Sequence, residues 1–102
     1  SDVIEVWHND GDQILAFRRK DLVFVFNFNQ TRSFTDYGFL VPRGAYDVVL
    51  NTDSKQFGGF GFSDDSLRHF TCADPLYAKD KKEWLKLYVP ARSAVVLKRV
   101  KD

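Results

Sequence analysis

Apolar residues in this chain come in short runs, and within most runs they alternate with polar ones. "VIEVW" (3–7) and "QILAFR" (13–18) flank "HNDGD", whose Asp10-Gly11 pair predicts a hairpin turn. The next run, "DLVFVFNF" (21–28), differs because both of its faces are apolar. Leu22, Phe24, Phe26 and Phe28 share one face, and Val23 and Val25 share the other. Such a strand belongs in the middle of a sheet, between packed layers or beneath a neighbouring domain.

Beyond the polar turn "NQTRS", "FTDYGFLV" predicts a strand interrupted near Gly38. In "PRG", Pro42 can fix φ and Gly44 can supply a backbone angle closed to other residues. "AYDVVLN" (45–51) and "SLRHFTCA" (66–73) read as strands, separated by "TDSKQFGGFGFSDD". "DPLYAKDKKE" reads as a polar, proline-bearing connection, and "WLKLYVP" (84–90) with "SAVVLKRV" (93–100) as a closing hairpin across "PAR". No segment sustains a 3.6-residue period. Short strands at regular spacing predict an all-β fold, an antiparallel β-sandwich of about eight strands with Greek-key crossings.

Length and composition narrow the function classes. The 102 residues form a single domain with room for one core, and 16% aromatic content supplies much of the burial. A formal charge of +1 gives no basic footprint for nucleic acid and no attraction to an anionic membrane. The runs "RRK", "KDKK" and "KRVK" are short enough to be solvated strand ends or loops. No apolar run approaches the ~20 residues of a membrane helix. A single cysteine, Cys72, fits a reducing compartment such as the cytoplasm, and its apolar surroundings predict a small buried side chain. With one cysteine and two histidines, no zinc spacing is present, so neither a metal nor another cofactor is expected. The chain begins without methionine, which suggests a fragment or a processed chain.

The sequence offers little for catalysis. Asp10, Asp12, Asp36, Asp53, Asp64 and Asp65 all sit in or beside turns, where aspartate commonly binds backbone amides. "GGFGFSD" contains one G-x-G, but Asp64 stands where a dinucleotide fingerprint needs its third small residue. Strand-like sequence follows it, and no GK[ST] is present. A phosphate loop is therefore excluded. An aromatic platform for sugar remains, with Trp7, Tyr37, Phe57, Phe60, Phe62 and Trp84 as candidate sugar contacts beside a plainer reading as packing.

"ILAFRRKDLVFVFNFNQTRSFTDYGF" followed by "GAYDVVLNTDSKQFGGFG" closely resembles the C-terminal β-domain of 1,4-α-glucan branching enzymes of the α-amylase superfamily. The resemblance covers about residues 13 to 100, including the ending "LKLYVPARSAVVLKRV", and is nearest the eukaryote-like branch. Two positions depart from the family's usual residues: Asn29 and Phe60 stand where members often carry histidine. The resemblance implies a larger enzyme of glycogen biosynthesis, with a carbohydrate-binding-like N-terminal domain and a (β/α)₈ catalytic barrel. That enzyme would cleave α-1,4 linkages and form α-1,6 branches. Retaining chemistry of this kind needs two carboxylates about 5–5.5 Å apart, set on a barrel of about 250 residues. This chain cannot hold such a barrel, so none of its aspartates is assigned a catalytic role.

Two functions follow as expectations. The first is a non-catalytic accessory domain that packs on the barrel, stabilises it and helps position glucan. One face should then be an exposed apolar patch in the isolated chain. The alternative is an autonomous glucan-binding module that uses exposed aromatic rings. In the glycine-rich loop, Gly58, Gly59 and Gly61 would permit unusual backbone angles, and Phe60 is the ring whose exposure bears most directly on the choice.

Overall fold

The computed structural model describes residues 5–52 and 68–100. The glycine-rich loop, with Phe57, Phe60 and Phe62, lies outside the described residues, as do Asp53, Asp64 and Asp65. Eight strands are described: β1 (Glu5–Asn9), β2 (Ile14–Arg19), β3 (Leu22–Asn27), β4 (Phe34–Pro42), β5 (Ala45–Asn51), β6 (His69–Phe70), β7 (Lys82–Val89) and β8 (Ser93–Val100). They form a six-stranded sheet ordered β1-β2-β3-β8-β5-β6 and a two-stranded sheet β4-β7, with every pairing antiparallel. This is the all-β sandwich that the alternation predicts. Strand β3 takes its expected central place, hydrogen-bonded to β2 and β8.

The core lies between the two sheets. Ile14, Ala16, Val23, Val25, Tyr46, Val95 and Leu97 meet Phe39, Val41, Leu85, Leu87 and Val89 there, all of them buried. Two turns show how the sequence closes this layer. The Asp10-Gly11 hairpin forms, although Gln13 (φ 60) rather than Gly11 adopts the left-handed conformation, and Asn9 Oδ1 accepts from the Asp12 N–H at 3.0 Å. Gly44 does supply the unusual angle (φ 152), and a Cβ there would stand 3.0 Å from Arg99 Nε. Where β4 passes to β5, the fully buried Tyr46 donates its hydroxyl to the Pro42 carbonyl at 2.7 Å, in the manner of the tyrosine corner of Greek-key sandwiches. Burial pushes that hydroxyl's pKa up to about 12.

Four local expectations are corrected. "PAR" does not close a hairpin: β7 pairs with β4, whereas β8 inserts between β3 and β5. Both strands carry apolar residues toward the same core from opposite layers, so Pro90 and its neighbours turn a corner of the sandwich instead. The interruption of β4 falls between Phe34 and Tyr37, at Asp36 (φ 52), and not at Gly38, which pairs normally with Lys86. The strand expected at 66–73 is only two residues long among the described positions, with an isolated bridge from Cys72 to Trp84. That bridge also explains why Cys72 is exposed rather than buried. Bridged antiparallel partners point to the same face, and Trp84 lies on the outer face of β7.

The connection "DPLYAKDKKE" folds as a short 3₁₀ helix, Pro75–Asp80. Asp74 caps it by accepting from the Leu76 N–H at 3.0 Å, and Lys81 ends it in the left-handed conformation. Just beyond this helix, Glu5 joins the two sheets by pairing with Arg18 of β2 and Lys82 of β7. Burial alone would raise its carboxyl pKa, but the bonds from Lys82 and Arg18 outweigh it and hold the group below its usual value.

Candidate functional site

The pairing register aligns side chains across the outer face of the larger sheet. One row runs Val6, Phe17, Phe24, Val96, Leu50 through β1, β2, β3, β8 and β5, and the next runs His8, Leu15, Phe26, Ala94. Phe17 stacks on Phe24 with ring centroids 4.7 Å apart and planes at 15°. The same ladder continues through Phe26 to Phe28, whose rings stand 6.0 Å apart at 8°. Val6 is 57% exposed, Phe28 55% and Val49 54%. The next row is polar, with Arg19, Lys98 and Asp47 around Leu22. Asp47 and Arg68 form a bidentate pair there at 2.8 and 3.0 Å, which lowers the Asp47 pKa. A cleft of about 390 Å³ lined by Asp21, Asp47, Lys98 and Arg99 opens beside it.

The end of β3 shows an inverted polarity. Asn27 is 1% exposed and Asn29 8%, while Phe28 between them points outward. The buried amides are well used. Asn27 Nδ2 donates to the carbonyls of Arg32 (3.0 Å) and Val89 (3.3 Å), and its Oδ1 accepts from the Asn29 N–H at 2.9 Å. Asn29 Oδ1 in turn accepts from the N–H groups of Thr31 and Arg32 at 3.1 and 2.9 Å. Asn29 thus serves as a turn-holding amide.

Three of the six candidate glucan contacts lie among the described residues, and the structure separates them. Trp7 and Tyr37 belong to one aromatic cluster through Phe39, with centroids 5.8 and 5.3 Å from it, and both are half-buried against the core. Trp84 stands on the opposite surface, the outer face of the small sheet. Its six-membered ring covers Gly38, where a Cβ would come within 3.1 Å of Cε3. Tyr77 meets the indole edge-on at 5.9 Å, and Nε1 donates to Asp74 Oδ2 at 3.0 Å. That bond and the Leu76 amide hold the Asp74 pKa below its usual value.

Around Tyr37 the chain assembles polar groups that the sequence keeps far apart. Its hydroxyl donates to Asp12 Oδ2 at 3.1 Å, from β4 to the β1–β2 turn. Burial, followed by that bond to a carboxylate, raises the Tyr37 pKa. Phe34 packs against Tyr37 at 5.3 Å, and the Arg32 guanidinium lies over the Phe34 ring at 4.7 Å. Arg32 Nη1 stands 3.9 Å from Asp12 Oδ1. Asp12, read in the sequence as a turn residue that would bind backbone amides, binds a side chain from another strand. Arg32 went unsingled in the sequence, because only the β2–β3 hairpin brings the two turns together.

Among the described residues, no group of three or more His, Cys, Asp or Glu could hold a metal ion, and no helix is long and apolar enough to cross a membrane.

Comparison with known proteins adds a family and relatives. Residues 5–100 match the family described as alpha amylase, C-terminal all-beta domain. A 1,4-alpha-glucan-branching enzyme of Emericella nidulans is 42% identical over 90 residues, covering 87% of this chain and 13% of that protein. The enzyme of the same name from Saccharomyces cerevisiae is 39% identical over 90 residues, covering 87% of this chain and 12% of its own length. That from Dictyostelium discoideum is 40% identical over 99 residues, covering 95% and 14%. The chain spans about an eighth of the length of these curated relatives.

Proposed function

The chain belongs to the alpha amylase C-terminal all-beta domain family, and from that premise we propose that it is the non-catalytic C-terminal accessory domain of a 1,4-α-glucan branching enzyme. It docks on that enzyme's catalytic barrel through the outer face of the six-stranded sheet and stabilises the barrel by covering it. The parent enzyme, a cytoplasmic transferase of glycogen biosynthesis, forms α-1,6 branch points from α-1,4-glucan.

One observation carries the docking: β3 turns its larger apolar side chains outward. Val23, Val25 and Asn27 fill the interior, while Leu22, Phe24, Phe26 and then Phe28 face away from it. A sheet face meant for water would alternate the other way. Covering a ladder of phenylalanines supplies about 25 cal/mol per Å² of apolar surface removed from water. Relatives roughly eight times longer than this chain provide a polypeptide to do the covering.

The carboxylates support a non-catalytic reading. Glu5 is held by Arg18 and Lys82, Asp12 by Tyr37, Asp47 by Arg68, Asp74 by Trp84, and Glu83 by the Thr71 hydroxyl at 2.6 Å. Each of these described carboxylates is engaged by a structural partner, an arrangement that suits a positioning role better than proton or glycosyl transfer. The exposed thiol of Cys72 suits a reducing cytoplasm.

A split-enzyme experiment tests the proposal. The parent polypeptide truncated before this domain is mixed with the 102-residue chain. The two should co-elute, and the truncated enzyme's Tm should rise. Phe24→Lys with Phe26→Lys should abolish both effects while the chain stays folded. Docking that survives this double substitution would overturn the assignment of the face. The chain alone should give no product in a branching assay, and turnover would overturn the non-catalytic reading.

A further inference from the structure

The outer face of the larger sheet carries charge inside its apolar area. The row Arg19, Leu22, Lys98, Asp47 crosses β2, β3, β8 and β5. On one side of it runs the row of Phe17, Phe24, Val96 and Leu50, and on the other the row of Val100, Ala45 and Phe70. Phe70 is 70% exposed. Lys98 therefore stands between two apolar rows and not at a rim. Asp47 lies opposite it in the register, but both Asp47 oxygens are taken by Arg68, at 2.8 and 3.0 Å. In the adjoining cleft of about 390 Å³, Arg99 gives Nε and Nη2 to the Arg43 carbonyl, and Asp21 has an interaction of its own. Among the described residues, no carboxylate pairs with Lys98 or with Arg19.

We propose that the polypeptide covering this face places an aspartate or glutamate in that cleft, where its carboxylate pairs with Lys98. This pairing rests on the docking reading above and names what the covering surface supplies. Covering the apolar rows on both sides takes water away from the ammonium between them. A charge desolvated without a partner is costly, and that cost works against the gain from burying the phenylalanines. Asp47 cannot relieve it without giving up two bonds to Arg68. A carboxylate from the covering surface can, because the ammonium offers three donors and no acceptor.

The charges of the row select the sign of the partner. Arg68 cancels Asp47, so Arg19 and Lys98, on either side of Leu22, leave the row with an excess of positive charge. An acidic patch complements it, and a basic one is rejected. The pair also supplies what the phenylalanines lack. Stacked rings can be covered in several alignments at similar gain, whereas one ion pair at a fixed point in the sheet admits one alignment. By holding Asp47, Arg68 leaves Lys98 available for that role.

Zero-length cross-linking of the intact parent enzyme tests the pair. A carbodiimide joins a lysine to a carboxylate in contact with it, and digestion followed by mass spectrometry identifies both residues. Lys98 should be joined to an aspartate or glutamate from outside these 102 residues. A link to Asp21, Asp47 or another carboxylate of the 102 residues, or no link at Lys98, would overturn the proposal. In the split enzyme, Lys98→Met keeps an apolar stem at an exposed position, and a urea unfolding curve matching the unsubstituted chain shows that it folds. It should weaken association about thirtyfold or more, the effect of leaving one partner of a covered pair alone. Lys98→Arg should recover most of that loss. Binding by Lys98→Met as tight as that of the unsubstituted chain, or tighter, would overturn the pair. If Phe24→Lys with Phe26→Lys abolishes co-elution while Lys98→Met leaves it intact, the docking face stands and the ion pair falls. If the two parts never co-elute, the docking face falls and the cross-link in the intact enzyme decides the pair.

Discussion

The two outer faces of this sandwich are both aromatic, yet only one is completed by the chain's own described residues. On the small sheet, Trp84 lies on a glycine, has Tyr77 against it, and gives its N–H to the residue that caps the neighbouring helix. Every demand of a large amphipathic side chain is met locally. On the large sheet, Phe17, Phe24, Phe26 and Phe28 stack on one another and bring no polar atom that needs a partner. Aromatic residues alone therefore do not identify a contact surface. What separates the two faces is whether the chain covers its own rings, and that depends on a helix, a cap and a glycine supplied from elsewhere in the sequence.

The comparison can be broken by substitution. The largest effect should come from the inward side of the outward-facing ladder. Asn27→Ala leaves the Asn29 amide and two carbonyls without their partner and should cost about 2–4 kcal/mol in urea unfolding. A loss below about 1 kcal/mol would mean that the buried amides do not hold the corner together. Trp84→Ala should follow at about 2 kcal/mol, because a half-buried ring loses its packing on Gly38 and Tyr77. Trp84→Phe should recover about half of that, since it loses chiefly the bond to Asp74.

The pH dependence of stability sharpens the contrast between buried and exposed groups. Tyr46 has its folded pKa raised to about 12, from about 10 in the unfolded chain. Its contribution is therefore complete below pH ~10 and is lost as pH rises toward the folded value. Tyr46→Phe should flatten that alkaline limb. Glu5 behaves in the opposite sense: its depressed folded pKa gives a contribution present above the unfolded value and lost as pH falls through the folded one. Glu5→Gln should flatten the acid limb, as followed by midpoint against pH. The smallest effect should be at Phe28→Ser, within about 0.5 kcal/mol for the isolated chain. The same change should weaken co-elution with the truncated enzyme. A large stability loss at Phe28 would show that its ring belongs to the core.

The sequence disclosed strands more readily than it disclosed neighbours. Alternation in "WLKLYVP" and "SAVVLKRV" marks two strands with one apolar face each, and both are present. The same pattern suits a hairpin or a corner equally well, since each places Leu87 and Leu97 in a common core. Only the partners β4, β3 and β5, distant in sequence, decide between them. Cys72 misleads for a related reason: its exposure is set by Trp84, twelve residues away, whose face it must share. Residue type made the phenylalanine face visible, because a strand apolar on both sides must be covered twice. The Asp12–Arg32 ion pair was not visible. Twenty residues and a hairpin separate the two groups, and each looked like ordinary turn chemistry.

The insertion of β8 between β3 and β5 has a consequence in time. The strand described last in chain order occupies an interior place in the larger sheet. During synthesis, β3 leaves the ribosome with its second edge open and the ladder of phenylalanines attached. It stays that way until more than sixty further residues have followed. Pairings this distant in sequence form late and slowly, and an open apolar edge in the interval invites wrong partners. A growing chain halted just after β7 would thus hold seven of the eight described strands, enough for the smaller sheet but not for the larger one.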